Sequence, residues 1–176
     1  MKVQLYILGI LMRYGSQHGY SIKQIVSDNI AAFAKIKLPT IYYHLDKLAE
    51  KGYINFVIQK DGSRPEKTVY SITDSGVAYF KSLLNKILTE NYSVEFNFDG
   101  VLYFSDFADK DAVIKNLNRQ KKYIENKLKE LARTKDSTVS KLLPDYRIYC
   151  ISIFNHHIYH FETELKWINE TLEELS

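Results

Sequence analysis

Three cations crowd one short polar stretch of this 176-residue chain. Lys60, Arg64 and Lys67 lie within KDGSRPEK, where Pro65 stiffens the backbone. Such a turn suits the phosphates of a nucleic acid or an adjacent minor groove. A second set lies in LPTIYYHLDKLAEKG. Successive helical residues advance about 100°, so Leu38, Ile41, Leu45 and Leu48 share one face. Thr40, Tyr43 and Lys47 fall roughly opposite, with Asp46 and Glu50 at one edge and Tyr42 flanking the apolar side. Hydroxyl, phenol and ammonium groups on one face can meet phosphates and base edges. A solvated face would read the same from this helix alone. The cationic turn that follows favours the nucleic-acid reading.

Other reactive residues carry less. Cys150 stands alone inside an apolar helical pattern with no nearby base to activate it, so it reads as a small packed residue. His156 and His160 are four apart and could share a metal on one helix face, but ordinary surface histidines fit as well. His18 and His44 read as packed or hydrogen-bonded residues. The chain contains no Gly-rich phosphate loop, no H-E-x-x-H and no G-x-S-x-G. The expectation is a protein that is not an enzyme and uses no cofactor or metal.

These groups need elements to hold them. VQLYILGILMR (residues 3–13) is nearly continuous in apolar residues, which fits a buried strand or helix; with no small-residue cleavage site behind it, it reads as the first helix of a cytoplasmic protein, not a signal peptide. YSIKQIVSDNI has Ile22, Ile25 and Val26 at helical spacing, and residues 28–37 read as a loop with an extra turn. Pro39 opens a third helix and Gly52 stops it. INFVIQK and TVYSI alternate and flank the cationic turn as a hairpin. Thr73 or Asp74 then caps a fourth helix. Three helices, a hairpin and a helix within about 90 residues is the order of a winged helix-turn-helix.

The rest of the chain is helical in pattern. Residues 89–108 fit either strand or short helix. A helix is expected from Asp109 to about Arg133, then a turn at TKDSTVS, then a last helix from Pro144. In that last helix Ile151, Phe154, Ile158, Phe161, Leu165, Ile168, Leu172 and Leu175 step by 3, 4, 3, 4, 3, 4, 3. This heptad seam is longer than the helix expected to face it, so with Trp167 beside it the seam predicts a homodimer; an intramolecular hairpin is the alternative.

Charge divides the same way. Residues 1–88 hold 12 Lys+Arg against 6 Asp+Glu, whereas residues 89–176 hold 12 against 15. Only the front half is expected to meet a polyanion. The 14 Tyr and 9 Phe must pack in a core, an interface or a ligand site. One cysteine allows no internal disulfide, and no apolar run approaches the ~20 residues of a membrane span.

Leu8-Gly9, Tyr14-Gly15, His18-Gly19-Tyr20, Pro39-Thr40-Ile41-Tyr42 with Leu45 and Lys47-Leu48, Gly52-Tyr53-Ile54, Arg64-Pro65-Glu66-Lys67, Tyr70-Ser71-Ile72-Thr73 and Gly76 together resemble the PadR family of bacterial transcription regulators. Glu164-Leu165-Lys166-Trp167 resembles a piece of its longer subfamily. The resemblance implies a winged-helix dimer that represses promoters and leaves them on binding an inducer. It places Tyr20, Thr40, Tyr42, Lys47, Arg64 and Lys67 at or near DNA. The sequence departs from the family at Lys37-Leu38-Pro39-Thr40, where the family has Ser-x-Gly-Thr, at Ser21, at Lys47 and at Tyr43, which stands where the family has proline.

The reading is therefore a mainly α protein with a small β-hairpin. Residues 1–90 would form a winged helix-turn-helix and residues 91–176 a helical dimerisation domain that could sense a ligand. The expected contacts to double-stranded DNA, at a pseudo-palindromic operator, are Tyr20, Thr40, Tyr42, Tyr43, Lys47, Lys60, Arg64 and Lys67. Dimerisation is expected through Ile151, Phe154, Ile158, Phe161, Leu165, Trp167, Ile168 and Leu172. A small aromatic or hydrophobic inducer is a possible partner and a membrane is not; a helical protein–protein adaptor is the alternative function.

Overall fold

The computed structural model describes residues 2–31, 33–34, 36–60 and 66–175, so Arg64 lies outside the described residues. The chain divides into two compact units, Met1–Tyr92 and Ser93–Ser176.

In the first unit the apolar N-terminal run is a helix, α1 (Lys2–Tyr14). Gly15 follows it at φ +70°, a conformation that glycine adopts without a Cβ clash. A two-residue strand, β1 (Gln17–His18), leads into α2 (Gly19–Ile25), which continues as a π-helical turn over Val26–Ile30. The helix expected after Pro39 is α3 (Thr40–Glu50), and Gly52 ends it, again at φ +70°. β2 (Ile54–Gln59) and β3 (Lys67–Ile72) form the hairpin, and α4 (Asp74–Thr89) closes the unit. The sheet is antiparallel in the order β1-β3-β2, with Val57 opposite Val69 and Gln17 opposite Tyr70.

The core explains the order. Ile7, Leu8 and Leu11 of α1, Ile22 of α2, Ile41, Leu45 and Leu48 of α3, Ile54 of β2 and Leu83 of α4 converge in one buried cluster. The spacing of Ile41, Leu45 and Leu48 turns the opposite side of α3 to solvent, as the sequence pattern expects. β1 is a third strand that periodicity could not reveal, because two residues carry no alternation.

The second unit is helical. Residues 89–108 hold no strand; they form a short helix, α5 (Asp99–Tyr103), and a 3-10 turn at Ser105–Phe107. α6 (Lys110–Val139) starts at Asp109, whose carboxylate accepts from the Asp111 N–H at 3.0 Å. α7 (Pro144–Leu175) returns antiparallel to it: Val113, Leu117 and Ile124 pack with Ile168, Phe161, Leu165 and Leu172 near one end, while Lys135 donates to Asn155 at 2.8 Å toward the other.

The expected turn at TKDSTVS is helix instead. No glycine or proline interrupts it, Thr138 is buried, and Ser137 and Ser140 donate back to carbonyls three residues earlier. α6 therefore has 30 residues against 32 in α7, and the premise that α7 outruns its partner fails. Much of the seam serves the chain's own pair: Phe154 and Ile168 are fully buried, and Phe161, Leu165 and Leu172 are partly buried. Trp167 meets Phe98 edge-on at 6.2 Å. The apolar surface that α7 leaves open is Tyr146, Ile148, Tyr149, Ile153 and Tyr159. No helix among the described residues is long and apolar enough to cross a membrane.

Candidate nucleic-acid interface

The outward face of α3 is built from its first turn. Thr40 is half-buried, and its hydroxyl donates to the Lys37 carbonyl at 2.7 Å, which leaves its oxygen as an acceptor for a ligand. Tyr43 is 57% exposed, and its ring meets His44 edge-on at 5.2 Å. Lys47 lies one turn further on, hydrogen-bonded to Glu50 at 2.7 Å, and that bond raises its pKa. Its positive charge is thus secure, but a phosphate must compete with Glu50 for it. His44 is held below its ordinary pKa by burial first, so it adds no cation to this face at neutral pH.

Tyr42 is placed by a close approach. A Cβ at Gly19 would lie 3.0 Å from the Tyr42 ring and 3.3 Å from the Tyr70 ring, so any larger residue at the start of α2 makes those rings give way. The next residue, Tyr20, is 68% exposed. The first turn of α2 and the exposed face of α3 therefore present three tyrosines. Among them Tyr42 packs as well as points outward, which fits its place flanking the core.

The hairpin adds charge. Lys60 follows β2, 3.8 Å from Glu66 across the turn, and Lys67 opens β3 as an exposed side chain. The candidate DNA residues that the structure describes thus fall on α2, α3 and the hairpin of one unit. The eight expected dimerisation residues all lie on α7 in the other.

A network that the sequence pattern did not single out holds α3 in place. Thr73 and Ser75 both donate to the Gly52 carbonyl, at 2.7 and 2.9 Å, and the Gly76 N–H donates to Thr73 Oγ1 at 3.1 Å. The Thr73 N–H donates to the Tyr53 carbonyl at 3.1 Å. Tyr53 stacks on Tyr79 at 4.2 Å, and the Tyr79 hydroxyl donates to Gln4 of α1 at 3.0 Å. The end of α3 is therefore tied to α4 and α1 by bonds that span more than 20 residues of sequence. Only Thr73 as a cap was legible beforehand.

Residues 7–82 match the family model described as the transcriptional regulator PadR-like family, and residues 102–176 match the model described as the virulence activator alpha C-term. The negative transcriptional regulator PadR of Bacillus subtilis (strain 168) is 36% identical over 76 residues, which are 43% of this chain and 42% of that protein. The chain thus spans less than half the length of this curated relative. Its fold is that of Bacillus subtilis PadR solved with operator DNA (TM-score 0.75, 23% identity, 100% of both chains) and with p-coumaric acid (TM-score 0.71, 22% identity, 99% and 96%). It is also that of the Vibrio cholerae virulence activator AphA (TM-score 0.81, 19% identity, 98% and 97%).

Proposed function

From the match of residues 7–82 to the PadR-like transcriptional regulator family, we propose a homodimeric repressor that binds a pseudo-palindromic operator and leaves it on binding a small aromatic or hydrophobic molecule. The observation that carries this reading is the outward side of α3, where Tyr43 is exposed and Lys47 partly so, turned away from Ile41, Leu45 and Leu48, with exposed Tyr20 and Lys67 in the same unit. α3 enters a major groove, and Lys60, Arg64 and Lys67 follow the neighbouring phosphates. Repression and release take their support from the relative's designation as a negative regulator and from its structure with p-coumaric acid.

The second copy covers the outer side of α7. Tyr149 is 70% exposed, and Tyr146 and Ile153 lie three residues before it and four after it, so the three form one helical stripe. Phe154, buried on the turn beside Ile153, belongs to the interior and not to this stripe. Two α3 helices then reach successive major grooves, and the operator half-sites lie about 34 Å apart or a multiple of that.

The test is binding to the DNA upstream of the chain's own gene across a salt series. Arg64→Ala and Lys67→Ala should each flatten the slope of log affinity against log salt by about one unit, on every sequence alike. Unchanged slopes in both would remove the hairpin from the phosphate backbone. A protein–protein adaptor would show little affinity and no slope.

Tyr43 carries the sequence-reading part of the proposal, as a contact to a phosphate or a thymine methyl. Tyr43→Ala should lower operator affinity by about 1 kcal/mol or more. The side chain is exposed, so thermal stability and dimerisation should stay nearly unchanged. Titration with operator and with random DNA separates a specific contact from a merely electrostatic one.

A further inference from the structure

β2 is an edge strand: the sheet order places it outside β3, with no neighbour on its other side among the described residues. It is also bare on both faces. After buried Ile54, every residue from Asn55 to Gln59 is exposed, with Phe56 at 54%, Val57 at 62% and Ile58 at 57%. Edge strands are ordinarily protected by a charge, a proline or a bulge, and INFVIQ has no charge and no proline. Alternate residues of such a strand turn N–H and C=O groups outward, and only another strand satisfies them all at once.

We propose that this edge pairs with the β2 edge of a second copy, antiparallel about a two-fold axis through Val57, joining two three-stranded sheets into one of six. The strand complements itself in that register. Phe56 faces the second copy's Ile58, an aromatic–β-branched pair; Val57 faces Val57; and Asn55 faces Gln59, amide to amide. Centring the axis on Phe56 instead would set Asn55 against Val57. Charge permits the arrangement as well. Lys60 falls opposite Ile54 of the second copy, so the two Lys60 side chains sit about 20 Å apart along the strands, beyond a screening length of about 8 Å. Each is also offset by its own Glu66. The two Lys60 side chains therefore lie toward opposite ends and do not repel. The contact is separate from the α7 stripe; where both operate, dimers are linked hairpin to hairpin, and neighbouring operators fill cooperatively.

Sedimentation of the full chain without DNA tests the pairing. Wild type should show a species heavier than a dimer at high concentration. Val57→Lys, which sets two ammonium groups against each other on the axis, should raise the dissociation constant of that species at least tenfold. Val57 is exposed, so the melting temperature should not move. An equal mixture of Val57→Lys and Val57→Glu chains should restore the species, because opposite charges then meet; a generally damaged edge would not recover. In a Tyr149→Glu background, where α7 pairing is removed, the wild-type edge should still give dimers and Val57→Lys monomers. That separates failure of this contact from failure of the α7 dimer. Equal sedimentation of wild type and Val57→Lys at all concentrations, or no recovery in the mixture, overturns the proposal.

Discussion

Gly76→Ala should lower the stability of the winged-helix unit by about 3 kcal/mol or more, and operator binding should fall with it. A Cβ built there lies 2.0 Å from the Tyr53 carbonyl oxygen and 2.8 Å from the Ile72 side chain. The first of these is backbone, fixed by the Thr73 N–H that donates to it, so no rotamer change relieves the clash. Helix propensity argues the other way. Gly76 lies in the first turn of α4, and alanine is favoured over glycine in a helix interior by about 1 kcal/mol. The sign of the change in a urea or thermal midpoint therefore decides between the two effects. Gly100→Ala is the control: nothing lies within 4 Å of its Cβ, and its effect should stay within about 0.5 kcal/mol. A Gly76→Ala chain that melts at or above wild type would mean that the joint between α3 and α4 yields freely.

The second large effect belongs to Phe154. It is the largest of the fully buried side chains, at 0% exposure. Phe154→Ala removes a fully buried ring of α7 and should cost about 3–5 kcal/mol in the second unit, depending on how far the surroundings close over the cavity. The dimer should dissociate as well, because Tyr149 and Ile153 stand on the same helical turns. Tyr149→Glu separates the two consequences. It places a charge in the proposed interface but not in the monomer core, so it should yield a folded monomer. If Phe154→Ala unfolds the unit while Tyr149→Glu stays dimeric, α7 is an internal helix only.

What the sequence made legible was local. The i, i+4, i+7 run of Ile41, Leu45 and Leu48 fixed which side of α3 faces inward, and so which residues face outward. The two alternating runs and the cationic turn marked the hairpin. What it hid was long-range. TKDSTVS reads as a turn because it is polar, and only the burial of Thr138 beneath α7 explains why the helix continues. Gly76 was visible as a motif letter, but the Tyr53 carbonyl that forbids a side chain there lies 23 positions away. The alternation of INFVIQ signals a half-buried strand, whereas the structure exposes both of its faces beyond Ile54. Periodicity reports that a strand forms; it does not report what lies above and below it.

The double bond to the Gly52 carbonyl also has a mechanical meaning. Thr73 and Ser75 hold the carbonyl two residues past the end of α3 at the very residues where α4 begins, so the end of one helix is joined to the start of the other. α4 is 16 residues long, about 24 Å at 1.5 Å per residue. It would then act as a lever arm on α3, the helix proposed to read DNA. A sideways push of about 2 Å at its Thr89 end would tilt the joined helices by about 5°. Such a tilt would re-aim Tyr43 and Lys47 while the two bonds to the Gly52 carbonyl hold.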